Sequence, residues 1–394
     1  MHPDQHYSHA NIDLPLLRQR AFNYRWATLP EDVIALTAAD PDFPVADPIR
    51  DAVLDYAKSG LYSYGPHEGM AEFRAACANM MVTRRGVAAR PEQILPIDSV
   101  ASAMTVVTRL LLSPGDEAII FDPVDYLFRT SVEAVGGKVV TVPLNHATGR
   151  PDWQALPGLV TPRTRLLGVC SPINPLGVVL RPDELQLLGD FAVANRLWIL
   201  NDEIWSDIVF EPHRFHSMAA LGGEIAERCI TVHGMSKTFG LAGLRVGYLH
   251  APTEALYHGL VQTSQVLTTA GGVATISQVA ATAALNHGWP WLEAFMRHLH
   301  AQRELAVTRL NRMPGVECRA PEATYLLFPT VTVPGMDSVA LQAHLLEVGK
   351  VAVVPGSAKF FGPGAEGHLR ICFATSTEIL SEGLDRIEAT LRRL

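Results

Sequence analysis

Short aliphatic runs alternate with longer helical stretches through the middle third of this 394-residue chain. That alternation limits the fold more than any other feature. Glu117-Ala118-Ile119-Ile120-Phe121 follows the turn Ser113-Pro114-Gly115-Asp116 and reads as a strand. Lys138 to Val142, Arg165 to Cys170, Leu197 to Leu200 and Cys229 to Val232 continue the series. Most are nearly continuous apolar runs, the pattern of strands covered on both faces. Helical segments lie between them, such as Pro182 to Asn195, and Ala101 to Leu112 precedes the first. Such an order predicts an α/β fold with a mostly parallel sheet.

After about residue 285 the texture changes. Trp291 to Met313 reads as one amphipathic helix, with Leu292, Phe295, Met296, Leu299, Ala306, Leu310 and Met313 on one side. Short strands are expected at Thr324 to Phe328, Val351 to Val354 and Leu369 to Phe373, and a last helix from Thr377 to Leu394. This is the texture of a smaller α+β domain. The first 45 residues hold little of their own to bury and are expected to pack on it. The expected division is 1–45, 46–285 and 286–394.

With 48% apolar and 18% charged residues, the chain can bury a sizeable core. A net charge of −8 argues against nucleic acid or an anionic membrane as partner. No apolar run is long enough to span a bilayer, and Met1 to Ile12 is too polar for a signal peptide. A cytoplasmic protein is expected. The five cysteines are far apart, without metal-ligand spacing, and read as buried thiols; no metal site is expected.

Ligands bind at the carboxyl ends of strands in open α/β sheets. Here those ends carry the polar residues. Leu197 to Leu200 runs into Asn201-Asp202-Glu203. A carboxylate there can keep a heterocyclic nitrogen protonated, or serve as an ordinary helix cap. Cys170 leads into Ser171-Pro172-Ile173-Asn174-Pro175-Leu176-Gly177, where two prolines and a glycine fix the direction of one asparagine. Asn174 can donate to a phenolate oxygen, or be a plain turn residue. Asp98-Ser99-Val100-Ala101 opens a helix, whose free N–H groups suit a phosphate as well as a serine cap. Arg370 sits in the otherwise apolar Leu369 to Phe373. It would be satisfied equally by a substrate carboxylate or by an internal salt bridge.

Met235-Ser236-Lys237-Thr238-Phe239-Gly240 places a lysine on a small, polar turn, with Arg245 eight residues after it. A lysine that bonds an aldehyde must lose its proton, and a nearby arginine both disfavours the lysine's charge and holds a phosphate. Together with the strand-end residues in this order, the chain resembles the fold-type I pyridoxal-phosphate enzymes, in particular the class I/II aminotransferases. The resemblance runs from Ala39-Asp40-Pro41-Asp42-Phe43 and Tyr64-Gly65-Pro66-His67-Glu68-Gly69 to Val354-Pro355-Gly356 and Arg370. It implies a large domain that binds pyridoxal 5′-phosphate and a smaller α+β domain. Lys237 looks like the Schiff-base lysine, Asp202 like the partner of the pyridine nitrogen, and Asn174 like the donor to the phenolic oxygen. Arg245, Ser236 and the backbone at Val100 and Ala101 look like the phosphate cup. Arg370 and Ala39 look like substrate contacts, Arg370 on the α-carboxylate. Tyr64 matches a tyrosine that reaches the neighbouring subunit's phosphate, which implies a homodimer with shared active sites. Thr275-Ile276-Ser277-Gln278 is a candidate second cross-subunit contact.

Three positions depart from the family pattern. Gly234 stands where a phosphate-binding serine is usual. Trp205 stands where a tyrosine often donates to the phenolic oxygen. Asp125 stands where an aromatic stacks on the ring, leaving Tyr126 or Phe128 for that task. Asp202 to Asp207 and Pro321 to Leu327 also resemble the cystathionine β-lyase-like C–S lyases. The expected activity is amino transfer between an α-amino acid and a 2-oxo acid. The alternatives are a C–S β-lyase and a non-catalytic regulator that has kept the cofactor fold.

Overall fold

The computed structural model describes residues 7–145 and 148–394. The five expected strands form the parallel centre of an eight-stranded sheet. In sequence ranges its order is 94–97, 247–250, 229–234, 198–202, 164–170, 117–122, 138–145 and 150–151. The strands Lys138–Asn145, Glu117–Asp122, Thr164–Cys170, Trp198–Asp202 and Cys229–Gly234 run parallel. Ile119, Leu167, Ile199 and Leu200 are fully buried, as their unbroken apolar runs demand.

Three strands join the sheet that hydrophobic pattern did not reveal, among them the two-residue Arg150–Pro151, antiparallel to Lys138–Asn145. Gly247–His250 runs antiparallel to Cys229–Gly234, and Ile94–Ile97 runs antiparallel to Gly247–His250 at the sheet edge. The edge position suits Pro96, which has no N–H to donate. The sheet is therefore mixed. Ile97, Gly247, Gly234, Asp202, Cys170 and Asp122 share one edge of it, and the chemistry collects there. Gly247 has to be glycine, because a Cβ there would lie 2.6 Å from the carbonyl oxygen of His233.

The C-terminal strands are shorter than expected. Only Leu326–Leu327 forms in the first segment, because Thr324 is left-handed (φ 71°) and its Oγ1 accepts the Leu326 N–H at 3.2 Å. The next segment divides at Val353. Val351–Ala352 pairs with Ile34–Ala35, and Val354–Pro355 pairs with Leu369–Cys372. The amphipathic helix spans Trp289–Leu310 and buries Leu292, Phe295, Leu299, Ala306 and Leu310, while Met296 is half-buried. Tyr7 packs against Phe43 and Phe295 with ring centres 5.1 Å apart, and donates to the Trp291 carbonyl at 2.7 Å. All five cysteines are buried free thiols. No helix among the described residues is long and apolar enough to cross a membrane.

Candidate active site

A cavity of about 640 Å³ opens at the shared strand edge. Lys237, Asp202, Asn174, Arg370, Ser236, Arg245, Val100, Ala101, Tyr126 and Ala39 all line it. Residues more than 300 positions apart are thus brought to one site by strand ends and the turns that follow them.

Lys237 sits in the short helix Met235–Thr238, directly after the strand Cys229–Gly234. Its Nζ donates to the Ala39 carbonyl at 2.7 Å and lies 5.6 Å from the centre of the Trp205 ring. Burial lowers its pKa; Arg370 adds to the fall, while Asp40 and Asp125 oppose it. An amine so placed is a better nucleophile and base near neutral pH than a surface lysine.

Asp202 ends its strand inside the cavity wall. Burial pushes its carboxyl up to about 7, helped by Asp125 and Glu203 and opposed by the Ile204 N–H, which bonds Oδ1 at 3.0 Å. No ion pair holds this acid among the described residues, and a buried acid so placed suits a protonated ring nitrogen.

Asn174 is held by its loop. Gly177 has φ 65°, and a Cβ there would meet Pro321 at 2.5 Å. Asn174 donates through Nδ2 to Asp125 Oδ2 at 2.6 Å, and its Oδ1 accepts from Arg370 Nη1 at 3.3 Å. Arg370 is 9% exposed and reaches the Thr37 carbonyl through Nη2 at 3.4 Å. Its Nε has no hydrogen-bond partner, and no carboxylate lies within salt-bridge distance among the described residues. Burial lowers its pKa, with Asp125 opposing. Of the two readings open from sequence, the internal salt bridge is not formed. The guanidinium faces the cavity ready for a carboxylate.

At the other end of the cavity the helix Val100–Leu111 begins. Ser99 Oγ accepts from Ser102 N at 3.1 Å, and the Ser99 carbonyl accepts from Ala103 N at 2.9 Å. The N–H groups of Val100 and Ala101 have no partner among the described residues and suit an anion. Ser236 and Arg245 line the same cavity. Arg245 is left-handed at φ 50°, a strained conformation for a non-glycine residue, and its guanidinium is only loosely tied to Asp98, at 3.8 Å. Free helix N–H groups with a loosely held arginine, a buried acid, a lysine of lowered pKa and a buried arginine thus line one cavity, and this set of groups fits pyridoxal 5′-phosphate with an amino-acid substrate.

The departures take definite places. Phe128 is 1% exposed and packs where a Cβ on Gly168 would be, so it is turned into the core. Tyr126, 43% exposed, lines the cavity, and Asp125 lines it beside Tyr126. Trp205 is buried, edge-on to Tyr325 with ring centres 4.7 Å apart. Tyr64 does not reach the cavity of its own chain. It is 91% exposed and lines an outer hollow of about 720 Å³ with Tyr62, Thr275 and Ile276. Ser277 and Gln278 are buried, and Gln278 Oε1 accepts the Met70 N–H at 2.7 Å. Of the four-residue candidate contact, only Thr275 and Ile276 therefore line that outer hollow.

Two features escaped the sequence reading. Asp40 faces the cavity near Lys237, its carboxyl raised by burial. Behind the lysine, Asp207 accepts from Arg85 Nη2 at 2.6 Å and from Thr238 Oγ1 at 3.0 Å. This buried pair anchors the residue next to Lys237. Arg85 closes a helix rich in ordinary surface charges, and nothing local marks it out.

Residues 31–387 match the family described as aminotransferase class I and II. The chain is 33% identical over 366 residues to an aspartate aminotransferase of Pyrococcus abyssi, covering 92% of each chain. It is 34% identical over 366 residues to aromatic-amino-acid aminotransferase 2 of Thermococcus litoralis, again over 92% of each. The crystal structure of an aromatic aminotransferase from Pyrococcus horikoshii OT3 superposes with a TM-score of 0.86 at 33% identity, over 92% of this chain and 96% of that one. The chain belongs to the class I and II aminotransferases. It is an enzyme of the pyridoxal 5′-phosphate-dependent kind, with an amino acid and a 2-oxo acid as substrates.

Proposed function

We propose that this aminotransferase works through Lys237, with Arg370 receiving the α-carboxylate of each substrate in turn. The observation that carries the reading is one cavity holding a half-buried amine of lowered pKa and a buried guanidinium without an ion pair among the described residues. Asp202 would hold the cofactor's ring nitrogen and Asn174 its phenolic oxygen. Ser236, Arg245 and the N–H groups of Val100 and Ala101 would hold its phosphate, and Tyr126 would cover its ring. Bound there, pyridoxal 5′-phosphate supplies an electron sink for the carbon that loses its proton. Lys237 takes that proton from Cα and returns one on the product side. Arg370 fixes the carboxylate, so the Cα–H bond faces the amine. Trp205 packs edge-on to Tyr325, and its ring centre lies 5.6 Å from the lysine Nζ.

The printed substrates of the relatives differ, aspartate in one and aromatic amino acids in the other, so the side-chain preference has to be measured. A test mixes the enzyme with candidate amino acids, with and without a 2-oxo acid acceptor. Appearance of a new amino acid that depends on the acceptor supports the proposal. Release of pyruvate and a thiol from cystathionine without acceptor overturns it in favour of β-elimination.

We further propose that two chains assemble with shared sites, Tyr64 of one serving the phosphate of the other, in the cytoplasm. In support, Leu61, Tyr62 and Tyr64 are 74%, 65% and 91% exposed in one short stretch, a costly surface for a monomer. We also propose the domain division at residues 45 and 285. Sedimentation equilibrium at micromolar concentration tests the assembly, and a monomer mass refutes it.

A further inference from the structure

The turn after the strand Glu117–Asp122 carries an acid where the family resemblance expects a ring. Asp125 uses both carboxylate oxygens. Oδ1 accepts the Leu127 N–H at 3.1 Å and so caps the helix Tyr126–Glu133. Oδ2 accepts an N–H of Asn174 at 2.6 Å. Asn174 Oδ1 then accepts from Arg370 at 3.3 Å.

A side-chain amide has two orientations that exchange its nitrogen and oxygen. An ionised carboxylate only accepts, and a guanidinium only donates. Placed between them, Asn174 satisfies both in one orientation alone. Arg370 has little else to fix it: a long bond to the Thr37 carbonyl at 3.4 Å, an unpartnered Nε, and the Phe361 ring 5.2 Å away. Asn174 is the one side chain that hydrogen-bonds its guanidinium among the described residues.

We infer that Asp125 is a positioning residue that, through Asn174, holds Arg370 in the direction that receives the donor's carboxylate. The inference rests on the proposal that Arg370 is the carboxylate receptor. Burial raises the Asp125 carboxyl, while the Leu127 N–H, Arg370 and Lys237 pull it back toward the ionised form that Asn174 needs.

Asp125→Asn separates this role from helix capping. The amide oxygen still accepts from Leu127, but an NH₂ now faces the NH₂ of Asn174. Asn174 then turns over and presents a donor to a donor at Arg370. The holoenzyme and the variants Asp125→Asn, Asn174→Ala, the double variant and Arg370→Ala are compared in three ways. These are KM and kcat for the amino donor, the dissociation constant of 3-phenylpropionate read by protein fluorescence, and the melting temperature. 3-Phenylpropionate has a carboxylate but neither amine nor carbonyl, so it reports binding without turnover.

Asp125→Asn is expected to raise KM and the dissociation constant roughly tenfold, the scale of one hydrogen bond to a charged group, and to lower kcat too, because the turned Asn174 no longer presents its NH₂ to the cofactor's phenolic oxygen. In the Asn174→Ala background it should add less than about twofold, because both residues act on one path. Full additivity in the double variant would show that Asp125 acts by its own charge and would overturn the inference. So would tighter binding in Asp125→Asn, or unchanged binding with only a lower melting temperature, which leaves a helix cap. Arg370→Ala reads the underlying proposal separately. If it leaves the dissociation constant unchanged, Arg370 is not the receptor, whatever Asp125 does. If Asn174→Ala does not yield soluble protein, Asn174→Ser removes the same NH₂.

Discussion

Gly234→Ser should tighten cofactor binding. Gly234 ends the strand Cys229–Gly234 and lines the cavity at the anion-binding end, where the family pattern has a serine. Its φ is −157°, extended backbone that any residue adopts. A Cβ there would lie 3.4 Å from the Val246 carbonyl oxygen, 3.5 Å from Val100 Cγ2 and 3.7 Å from Gly247 Cα, all ordinary contacts. The serine therefore fits without moving backbone and adds one donor to the phosphate cup. A hydrogen bond to a charged group contributes about 1.5–3 kcal/mol, or roughly 10- to 100-fold in affinity. Replacing glycine also lowers the entropy of the unfolded chain, stabilising the cofactor-free protein by about 0.4–1 kcal/mol. The assay strips the cofactor and titrates both proteins with pyridoxal 5′-phosphate, following protein fluorescence, with inorganic phosphate as competitor. Unchanged or weaker affinity in a variant that melts no lower than the wild type would refute the placement of the phosphate at this end.

Lys237→Ala should lower turnover by at least ~10³-fold, and borohydride should no longer fix the cofactor to the chain, as read by mass spectrometry of the peptide around residue 237. Arg85→Ala removes the arginine partner of the buried Asp207, leaving it only Thr238 Oγ1 at 3.0 Å and His233 Nε2 at 3.6 Å, so urea denaturation should show a loss of about 3–5 kcal/mol. His250 is 3% exposed, with neither ring nitrogen hydrogen-bonded among the described residues, and burial pushes its pKa down to about 4. The unfolded chain takes up this proton near pH 6.5 and the folded one only near 4, so its share of stability is present above pH 6.5 and lost on acidification. That share is about 2–3 kcal/mol between pH 7.5 and 4.5, and His250→Leu should flatten the pH dependence of the urea midpoint by as much.

The parallel centre of the sheet was legible because each strand is long and covered on both faces, which leaves an unbroken apolar run. The strands Ile94–Ile97 and Gly247–His250 were not, nor was the two-residue Arg150–Pro151. Ile94-Leu95-Pro96-Ile97 contains a proline, Gly247-Tyr248-Leu249-His250 is too short to show a period, and their pairing depends on the close approach of Gly247 to His233. Lys237, Asp202, Asn174 and Arg370 were legible because each is a polar residue beside or within an apolar strand. Their partners were not. The bond from Asn174 to Asp125 spans 49 positions, and that from Arg85 to Asp207 spans 122. No local pattern records a contact of that range. Asp125 looked like a missing ring, and only the folded chain shows what it grips instead.

The site is left unsatisfied by the chain that builds it. Lys237 is held toward its neutral form, Asp202 is pushed up to about 7, and Arg370 has a buried N–H without a partner. Holding charge in this cavity is a cost to folding when nothing is bound, and the Arg370 Nε, without a partner among the described residues, destabilises by about 1–3 kcal/mol. In the proposed assignment these three groups serve three different parts of one ligand set: an aldehyde, a ring nitrogen and a carboxylate. Filling the cavity removes these costs together, so the loaded protein gains stability as RT ln(1 + [L]/Kd), about 4 kcal/mol at a thousandfold excess over Kd. The residues that hold the site in this state, Asp207 behind the lysine and Asp125 beside the arginine, are themselves fully hydrogen-bonded within the chain.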